Sequence, residues 1–178
     1  MNIFYKKLEL NELSVVLFDS FNRYQEVKKC WRKENGQWLL SDISFIEQWG
    51  VPEKEKLTKC LFNTILTEGA VFGAFSDGIL VGFASVENIF FGLQKEYLQL
   101  SNIYVSHEKR GQGIGKELFK LICQRAIEMQ AKKLYISAHS SEESRSYYKS
   151  IGCVEALEIN MELAEEEPCD CQLEFSLI

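Results

Sequence analysis

The chain has 178 residues, 46% of them hydrophobic, which is enough apolar material for one domain with a proper core. Its formal net charge of −6 argues against generic nucleic-acid binding, because such binding relies on many cations to neutralise phosphates. No apolar run approaches the roughly 20 residues that span a bilayer, and no signal peptide is recognisable. We therefore expect a cytoplasmic protein with a single domain over residues 1–178 and neither a membrane nor a nucleic-acid partner.

The six cysteines and two histidines give little support for a metal site. One residue separates Cys169 from Cys171, whereas zinc-binding pairs are usually separated by about two to four, and no second Cys/His pair accompanies them. We expect free thiols in a reducing compartment and no bound metal.

The first half of the chain alternates between strand-like and helix-like patterns. Its boundaries are marked by a possible Asn cap, an Asn-Gly turn, a Pro suited to a first helical turn and an Asp-Gly turn. The predicted elements are a strand over 4–10, a helix over 12–21, an inserted hairpin within 23–48, a helix over 52–67, and paired strands over 70–75 and 79–88.

The second half continues this alternation, which predicts a mixed α/β architecture. The helix over 113–130 has the clearest helical period. The other predicted elements are a strand over 97–105, a strand over 132–138, a helix to Ser150 begun by a capping box of Ser140 and Glu143, a strand over 154–157, a helix over 160–167 and a strand over 171–177.

The most informative segment is the glycine loop over 105–116, which follows the strand over 97–105 and opens the next helix. Such a loop can hold an anion, because glycine lets the backbone approach closely and the first helical turn leaves N–H groups unpaired. Lys109, Arg110 and Lys116 add positive charge. The glycine spacing does not match a nucleoside triphosphatase loop, and Glu117 follows Lys116 where that loop has Ser or Thr. The third glycine comes one place early for a dinucleotide-binding loop.

A different pattern matches at every specified position. Residues 110–115 fit Arg/Gln-x-x-Gly-x-Gly/Ala, and here the chain resembles the GNAT family of acyl-coenzyme A-dependent N-acetyltransferases, small bacterial-type members in particular. Residues 141–153 resemble a second family motif, Asn-x-x-Ala-x-x-Phe-Tyr-x-x-x-Gly-Phe. They match it at Tyr147, Tyr148 and Gly152 and carry Cys153 in place of its last aromatic residue.

The resemblance covers residues 79–153 and implies the α/β (α+β) GNAT fold. That fold has a central mixed, mostly antiparallel sheet of about seven strands flanked by helices, with a parallel splay at the strand before the glycine loop. It also implies acetyl-coenzyme A as co-substrate. The residues it implies for coenzyme binding are Ile103, Tyr104, Val105, Arg110, Gly111, Gln112, Gly113, Ile114, Gly115, Lys116, Ser141, Ser144 and Tyr148.

The resemblance implies that Tyr148 is the general acid, because a Tyr O–H near the coenzyme sulfur can protonate the departing thiolate. The neighbouring Tyr147 is expected in the core. The general base is less clear. Gln99 stands where some family members have Glu, and it can position a water but is a poor base. Glu87 and Glu96 are nearby carboxylates, each better explained as a solvated surface charge than as a base, and Glu87 is the candidate if one of them serves.

The implied reaction moves an acetyl group to a primary amine by direct attack in a ternary complex. The acidic composition is compatible with a small cationic amine, but a polyamine, an aminoglycoside, an amino acid and a protein N-terminus all remain open. The aromatic residues of the inserted region are better explained as core than as an acceptor pocket. A non-catalytic acyl-coenzyme A sensor is the alternative function and a nucleotide-phosphate binder a third; a monomer and a homodimer both remain open.

Overall fold

A computed structural model of the protein describes residues 2–177. Its strands are β1 (Phe4–Lys7), β2 (Gln25–Glu34), β3 (Gln37–Glu47), β4 (Ala70–Ser76), β5 (Ile79–Val86), β6 (Tyr97–Val105), β7 (Lys133–Ala138), β8 (Val154–Glu155) and β9 (Cys171–Ser176). Its helices are α1 (Val51–Leu66), α2 (Ile114–Glu128), α3 (Glu142–Ser150) and α4 (Met161–Glu166). Within residues 2–177, none of these helices is long and apolar enough to cross a membrane.

The main sheet has seven strands in the spatial order β1-β4-β5-β6-β7-β9-β8, and β2 and β3 form a separate two-stranded sheet. Its one parallel pair in the described chain is β6 with β7; the other strand pairs are antiparallel. The predicted mixed, mostly antiparallel sheet with a parallel splay is therefore confirmed.

The splay has a local cause in strand register. The first three residues of β6, over 97–99, pair with β7, whereas the rest of β6 pairs with β5 alone. A register shift between Ser85 and Val86 leaves Ser101 unmatched on β6, and such a bulge bends and twists a strand. The β6 backbone beyond Gln99 consequently has one edge without a neighbouring strand.

Two apolar clusters hold the helices against the sheet. The larger lies under α2, whose residues Ile114, Leu118, Ile122 and Ala126 recur every four positions and are all buried. The smaller lies under α1 and includes Phe18, Phe21 and Phe83. The Phe83 ring meets Phe18 and Phe21 edge-on, with centroids 5.4 and 5.3 Å away. The sheet is thus covered around the point where β6 leaves β7.

The inserted hairpin of β2 and β3 packs against the start of α3. The Arg145 guanidinium lies between two indole rings, 4.7 Å from the Trp31 centroid and 4.5 Å from that of Trp38. Cys30 on β2 forms an isolated bridge with Ser141. These contacts hold the hairpin against α3, while Arg23, just before β2, lies 5.0 Å from the Tyr104 ring centroid on β6.

The predicted helix over 12–21 is wrong: two short 3₁₀ turns, over 10–12 and 15–18, occupy this region. Leu13 between them has extended backbone with φ −82° and ψ 118°, which brings its side chain into the smaller cluster. Ser14 and the β-branched pair Val15-Val16 are weak helix formers, so little local preference opposes this break.

Several other boundaries differ from the prediction, and two of them have a clear local cause. The first strand ends at Lys7 rather than at residue 10, because the Glu9 backbone N–H bonds Glu12 Oε2 at 2.9 Å and begins a turn. The N-cap of α3 is Ser141 rather than Ser140, and its Oγ accepts a hydrogen bond from the Ser144 N–H at 3.2 Å.

Candidate functional site

The open edge of β6 borders a cavity of about 800 Å³. Its lining includes the β6 residues 99–105, Arg110 and Gly115 of the glycine loop, and Ser144, Tyr147 and Tyr148 of α3. It also includes residues 23–26 and Glu47 at the base of the hairpin, His139 after β7, Leu163 and Glu166 of α4, and Glu167 and Asp170 before β9. Parts of the chain that are distant in sequence therefore converge on one cavity.

The glycine loop has the backbone conformation of an anion cradle. Gly111 and Gly113 have φ values of +75° and +82°, and no heavy atom lies within 4 Å of a Cβ built on either. Within residues 2–177, the N–H groups of Gly111, Gln112 and Gly113 have no hydrogen-bond acceptor. Alternation of this kind turns successive N–H groups to one side, and Gly113 is also the N-cap of α2.

Arg110 and Lys116, which flank these glycines, are both exposed. The Arg110 Nε donates a hydrogen bond to the Val105 carbonyl at 3.0 Å, which ties the loop to the end of β6. The Ile114 side chain is buried in the larger cluster, so this residue can offer a ligand only its backbone. The loop thus offers backbone donors together with positive charge.

Tyr147 and Tyr148 lie side by side on α3, with ring centroids 5.2 Å apart. Tyr148 is buried, and burial raises the pKa of its phenol well above the ordinary value, so the hydroxyl keeps its proton at neutral pH. The Tyr147 hydroxyl is shielded from solvent and has no hydrogen-bond partner within the described chain. An unpartnered polar atom of this kind is costly unless a ligand satisfies it.

Glu47, at the end of β3, is a charged residue of the cavity lining. It accepts a hydrogen bond from Arg23 Nη2 through Oε2, and its Oε1 lies 3.2 Å from His139 Nε2. The hydrogen bond with His139 and the charge of Arg23 lower the pKa of Glu47, although burial acts in the opposite direction. The His139 Nδ1 accepts the Ser141 N–H at 3.1 Å, which directs the Nε2 proton toward Glu47. Glu47 is therefore a carboxylate held ionised by two partners.

The two predicted candidates for proton transfer from the amine lie in different surroundings. Gln99 lines the cavity at the point where β6 and β7 diverge. Glu87 is not among the described residues that line the cavity. Its Oε1 accepts hydrogen bonds from Thr64 at 2.7 Å and from Ser101 at 2.6 Å, in a polar cluster between α1 and the sheet.

The structure brings most of the predicted coenzyme-binding residues to the same edge. Those that line the cavity are Ile103, Tyr104, Val105, Arg110, Gly115, Ser144 and Tyr148. Gly111, Gln112 and Gly113 are exposed at its entrance, and Ser141 is buried beneath it as the cap of α3. Glu96 instead pairs with Lys133, with 3.3 Å between Oε1 and Nζ.

Sequence reasoning missed Arg23, Glu47, His139 and Asp170 as cavity residues. They come from the hairpin, the loop after β7 and the segment before β9, which no sequence spacing connects. Arg23 is 7% exposed, and its guanidinium lies 5.0 Å from the Tyr104 ring centroid. Burial of a charged side chain against an aromatic ring marks a candidate site residue, but it can be read only from the folded structure.

The family model described as "Acetyltransferase (GNAT) family" matches residues 25–153. The chain therefore belongs to the GNAT family of acetyltransferases, and the activity of this family is acyl-coenzyme A-dependent acetyl transfer. The predicted family membership is thus confirmed. No curated protein sequence matches the chain significantly.

Solved structures share the fold at low sequence identity. A nourseothricin acetyltransferase is 15% identical, with a TM-score of 0.73 and full coverage, 100%, of both chains. A protein described as a streptothricin acetyltransferase of Bacillus anthracis str. Ames, in complex with acetyl coenzyme A, is 15% identical over 98% of this chain and 95% of its own, with a TM-score of 0.71. The PaiA N-acetyltransferase of Thermoplasma acidophilum, in complex with coenzyme A, is 15% identical over 99% of each chain, with a TM-score of 0.61.

Proposed function

We propose that this protein transfers an acetyl group from acetyl-coenzyme A to a primary amine of a small molecule, by direct attack in a ternary complex. The observation that carries this proposal is that the glycine loop and Tyr148, the proposed donor side, line the same cavity as Glu47 and Asp170, the proposed acceptor side. A donor site and an acceptor site that share one cavity let the two substrates react without a covalent enzyme intermediate.

The glycine-loop side fits coenzyme A. The amides of Gly111, Gln112 and Gly113 would hold the pyrophosphate, because they lack acceptors and no side chain covers them. The backbone of Ile103, Tyr104 and Val105 would hold the pantetheine arm, because this edge of β6 has no neighbouring strand. The shielded Tyr147 hydroxyl beside Gly115 is a further group that a bound coenzyme could satisfy. Ile114 and Lys116 would add a backbone amide and a charge, and Ser141 and Ser144 would fix the start of α3.

Tyr148 is the proposed general acid. Acetyl-coenzyme A supplies the thioester carbonyl that an amine attacks and the thiolate that leaves. Burial keeps the Tyr148 phenol protonated at neutral pH, so its proton is available when the thiolate departs. Tyr148 then donates its proton to the sulfur, and an N–H of the β6 edge polarises the carbonyl.

The acceptor side favours a cationic amine. Among the described residues, six carboxylates and two guanidinium groups line the cavity. An acidic cavity attracts ammonium groups and raises their local concentration. The structural neighbours named for nourseothricin and streptothricin support a small-molecule acceptor.

The test is release of coenzyme A thiol from acetyl-coenzyme A with four amines: spermidine, nourseothricin, L-lysine and a peptide with an N-terminal alanine. We expect saturable thiol release with a small cationic amine and little with the peptide. Tight binding of coenzyme A without release by any amine would contradict the proposal and support a sensing role. Preference for ATP over coenzyme A would contradict both.

A further inference from the structure

Asp170 lies on the acceptor side of the cavity, in the turn between α4 and β9. Its backbone N–H bonds the Glu167 carbonyl at 3.0 Å, which closes this turn. Its Oδ2 accepts a hydrogen bond of 3.0 Å from the Ser137 hydroxyl at the end of β7. Its Oδ1 has no hydrogen-bond partner within residues 2–177. One carboxylate oxygen is thus fixed while the other remains available to a ligand.

A directional chain of hydrogen bonds ends at Asp170. The Asn160 N–H donates to the Tyr135 hydroxyl at 3.1 Å, and this hydroxyl donates to Gln172 Oε1 at 2.6 Å. The Gln172 Nε2 donates to Ser137 Oγ at 3.0 Å, and Ser137 donates to Asp170. Each group in this chain donates a hydrogen bond to the next, and Asp170 is the last acceptor. Because Tyr135 is fully buried, the chain fixes the orientation of Asp170 from the core.

The charges around Asp170 come from several elements. Burial raises the pKa of its carboxyl group, and the negative charges of Glu167 beside it and Glu47 on β3 act in the same direction. The hydrogen bond from Ser137 and the nearby His139 act to lower it, without cancelling the rise. The charge of Asp170 also contributes to raising the pKa of the Tyr104 and Tyr148 phenols, which line the same cavity.

Three other candidates for a base are less suitable. Both oxygens of Glu47 are engaged by Arg23 and His139, which lower its pKa and so weaken it as a base. Each nitrogen of His139 already has a partner. Glu87 is hydrogen-bonded outside the cavity lining.

We propose that Asp170 is the general base that deprotonates the acceptor, a role that rests on the function proposed above. The ammonium N–H bond breaks, its electron pair stays on nitrogen, and the proton forms an O–H bond with Asp170 Oδ1. The neutral amine then has the lone pair that attack requires, and the carboxylic acid returns its proton to water through the open cavity. Ser137 and Gln172 are positioning residues for this step.

The test measures kcat, KM and the pH profile of Asp170→Asn with acetyl-coenzyme A and each of the four amines above. At neutral pH we expect kcat to fall by about 100-fold or more, the usual contribution of a general base. The loss of kcat should shrink as the pH approaches the amine pKa of about 10, because the amine is then already deprotonated and needs no base. Coenzyme A affinity, measured by calorimetry, should stay within about twofold of the native value, because Asp170 is not part of the loop proposed to hold the pyrophosphate.

Two further variants separate the proposed role from a structural one. Glu165→Gln removes the same charge from an exposed position on α4 outside the cavity lining and should leave kcat and the pH profile unchanged. Ser137→Ala removes the donor that lowers the Asp170 pKa, so the acidic limb of the kcat/KM profile should move to higher pH.

An Asp170→Asn variant with native kcat and pH profile, in a preparation whose native protein acetylates an amine, would overturn the role of Asp170 and leave the proposed function standing. A native protein that releases no thiol with any of the four amines would overturn both.

Discussion

Trp31 on β2 donates its backbone N–H to the carbonyl oxygen of Ser140, with 2.7 Å between the two atoms. This bond joins the inserted hairpin to the residue before the cap of α3. The hairpin carries Glu47 and α3 carries Tyr148, so the contact joins two elements that each contribute a residue to the cavity.

Arg145 stabilises this junction by stacking between Trp31 and Trp38. We expect Arg145→Ala to lower the free energy of unfolding by about 1–2 kcal/mol, because the largely desolvated cation–π contacts of the guanidinium with both indole rings are lost. The acceptor KM should rise more than the coenzyme dissociation constant. Chemical denaturation and steady-state kinetics measure the two effects. Lys120→Ala removes an exposed ion pair on α2 and should cost no more than about 0.5 kcal/mol; an equal cost for both variants would contradict the stacking role.

Removal of the Tyr148 hydroxyl tests the proposed general acid. Tyr148→Phe should lower kcat by about 100-fold, because the thiolate must then leave without a proton donor, while coenzyme affinity changes little. Thiol-release kinetics and calorimetry give the two quantities. Tyr5→Phe removes a hydroxyl on β1 outside the cavity lining and should have native kinetics. Native turnover of Tyr148→Phe would remove this residue from the mechanism.

Gly113 tests the anion cradle. Gly113→Ala places a Cβ at φ +82°, which costs about 1 kcal/mol of stability, and the methyl group projects into the open space where a pyrophosphate would approach. Coenzyme A affinity should fall about tenfold, equivalent to about 1.4 kcal/mol.

A matched control exists at Gly78 in the β4–β5 turn, where φ is +79° and no atom lies within 4 Å of a built Cβ. Gly78→Ala should therefore lose similar stability and keep native affinity for coenzyme A. If both variants bind coenzyme A like the native protein, the loop does not hold its pyrophosphate.

Glu174 links the two halves of the sheet, because its carboxylate accepts hydrogen bonds from Tyr97 on β6 at 2.6 Å and from the Leu157 N–H at 3.0 Å. Burial acts to raise its pKa, but these hydrogen bonds and Lys133 outweigh it, so the pKa is lowered. Glu174→Gln should cost about 1–3 kcal/mol at neutral pH.

The pH dependence of that cost follows from the direction of the shift. A carboxyl group whose pKa is lowered by folding stabilises the fold fully when the pH is above its unfolded-state pKa of about 4.3. This stabilisation is lost as the pH falls through the folded-state pKa. Unfolding free energies of native protein and Glu174→Gln should therefore converge in acid. A constant difference between pH 7 and pH 3 would contradict an ionic role for this carboxylate.

The features that could be predicted from the sequence are those that depend on residues close together in the chain. The buried period of α2, the glycine loop before it and the helix that carries Tyr147 and Tyr148 all depend on neighbouring residues, and each of these elements lies where it was predicted. Tyr147, expected in the core, is instead only partly buried and lines the cavity. The helix expected over 12–21 failed because burial of Leu13 against the sheet decides that region. Local preference there is weak.

The acceptor side could not be predicted for a related reason. Arg23, Glu47, His139 and Asp170 meet only after the hairpin docks on α3 and β9 pairs with β7. Each is unremarkable in its own stretch of sequence, and the partners that determine their charge states lie far away along the chain. Glu87 drew attention because it is near Gln99 in sequence, whereas the fold bonds it to Thr64.

The most direct test of the account follows the acetyl carbon itself. The protein is mixed with acetyl-coenzyme A labelled with ¹³C at the carbonyl and with the amine that gives the greatest thiol release, and the reaction is followed by ¹³C NMR. We expect the thioester carbonyl signal to be replaced by an amide carbonyl signal of the acetylated amine at the rate of thiol release. Conversion to free acetate, or a thioester signal that persists in the presence of enzyme and amine, would show that the protein does not acetylate this amine.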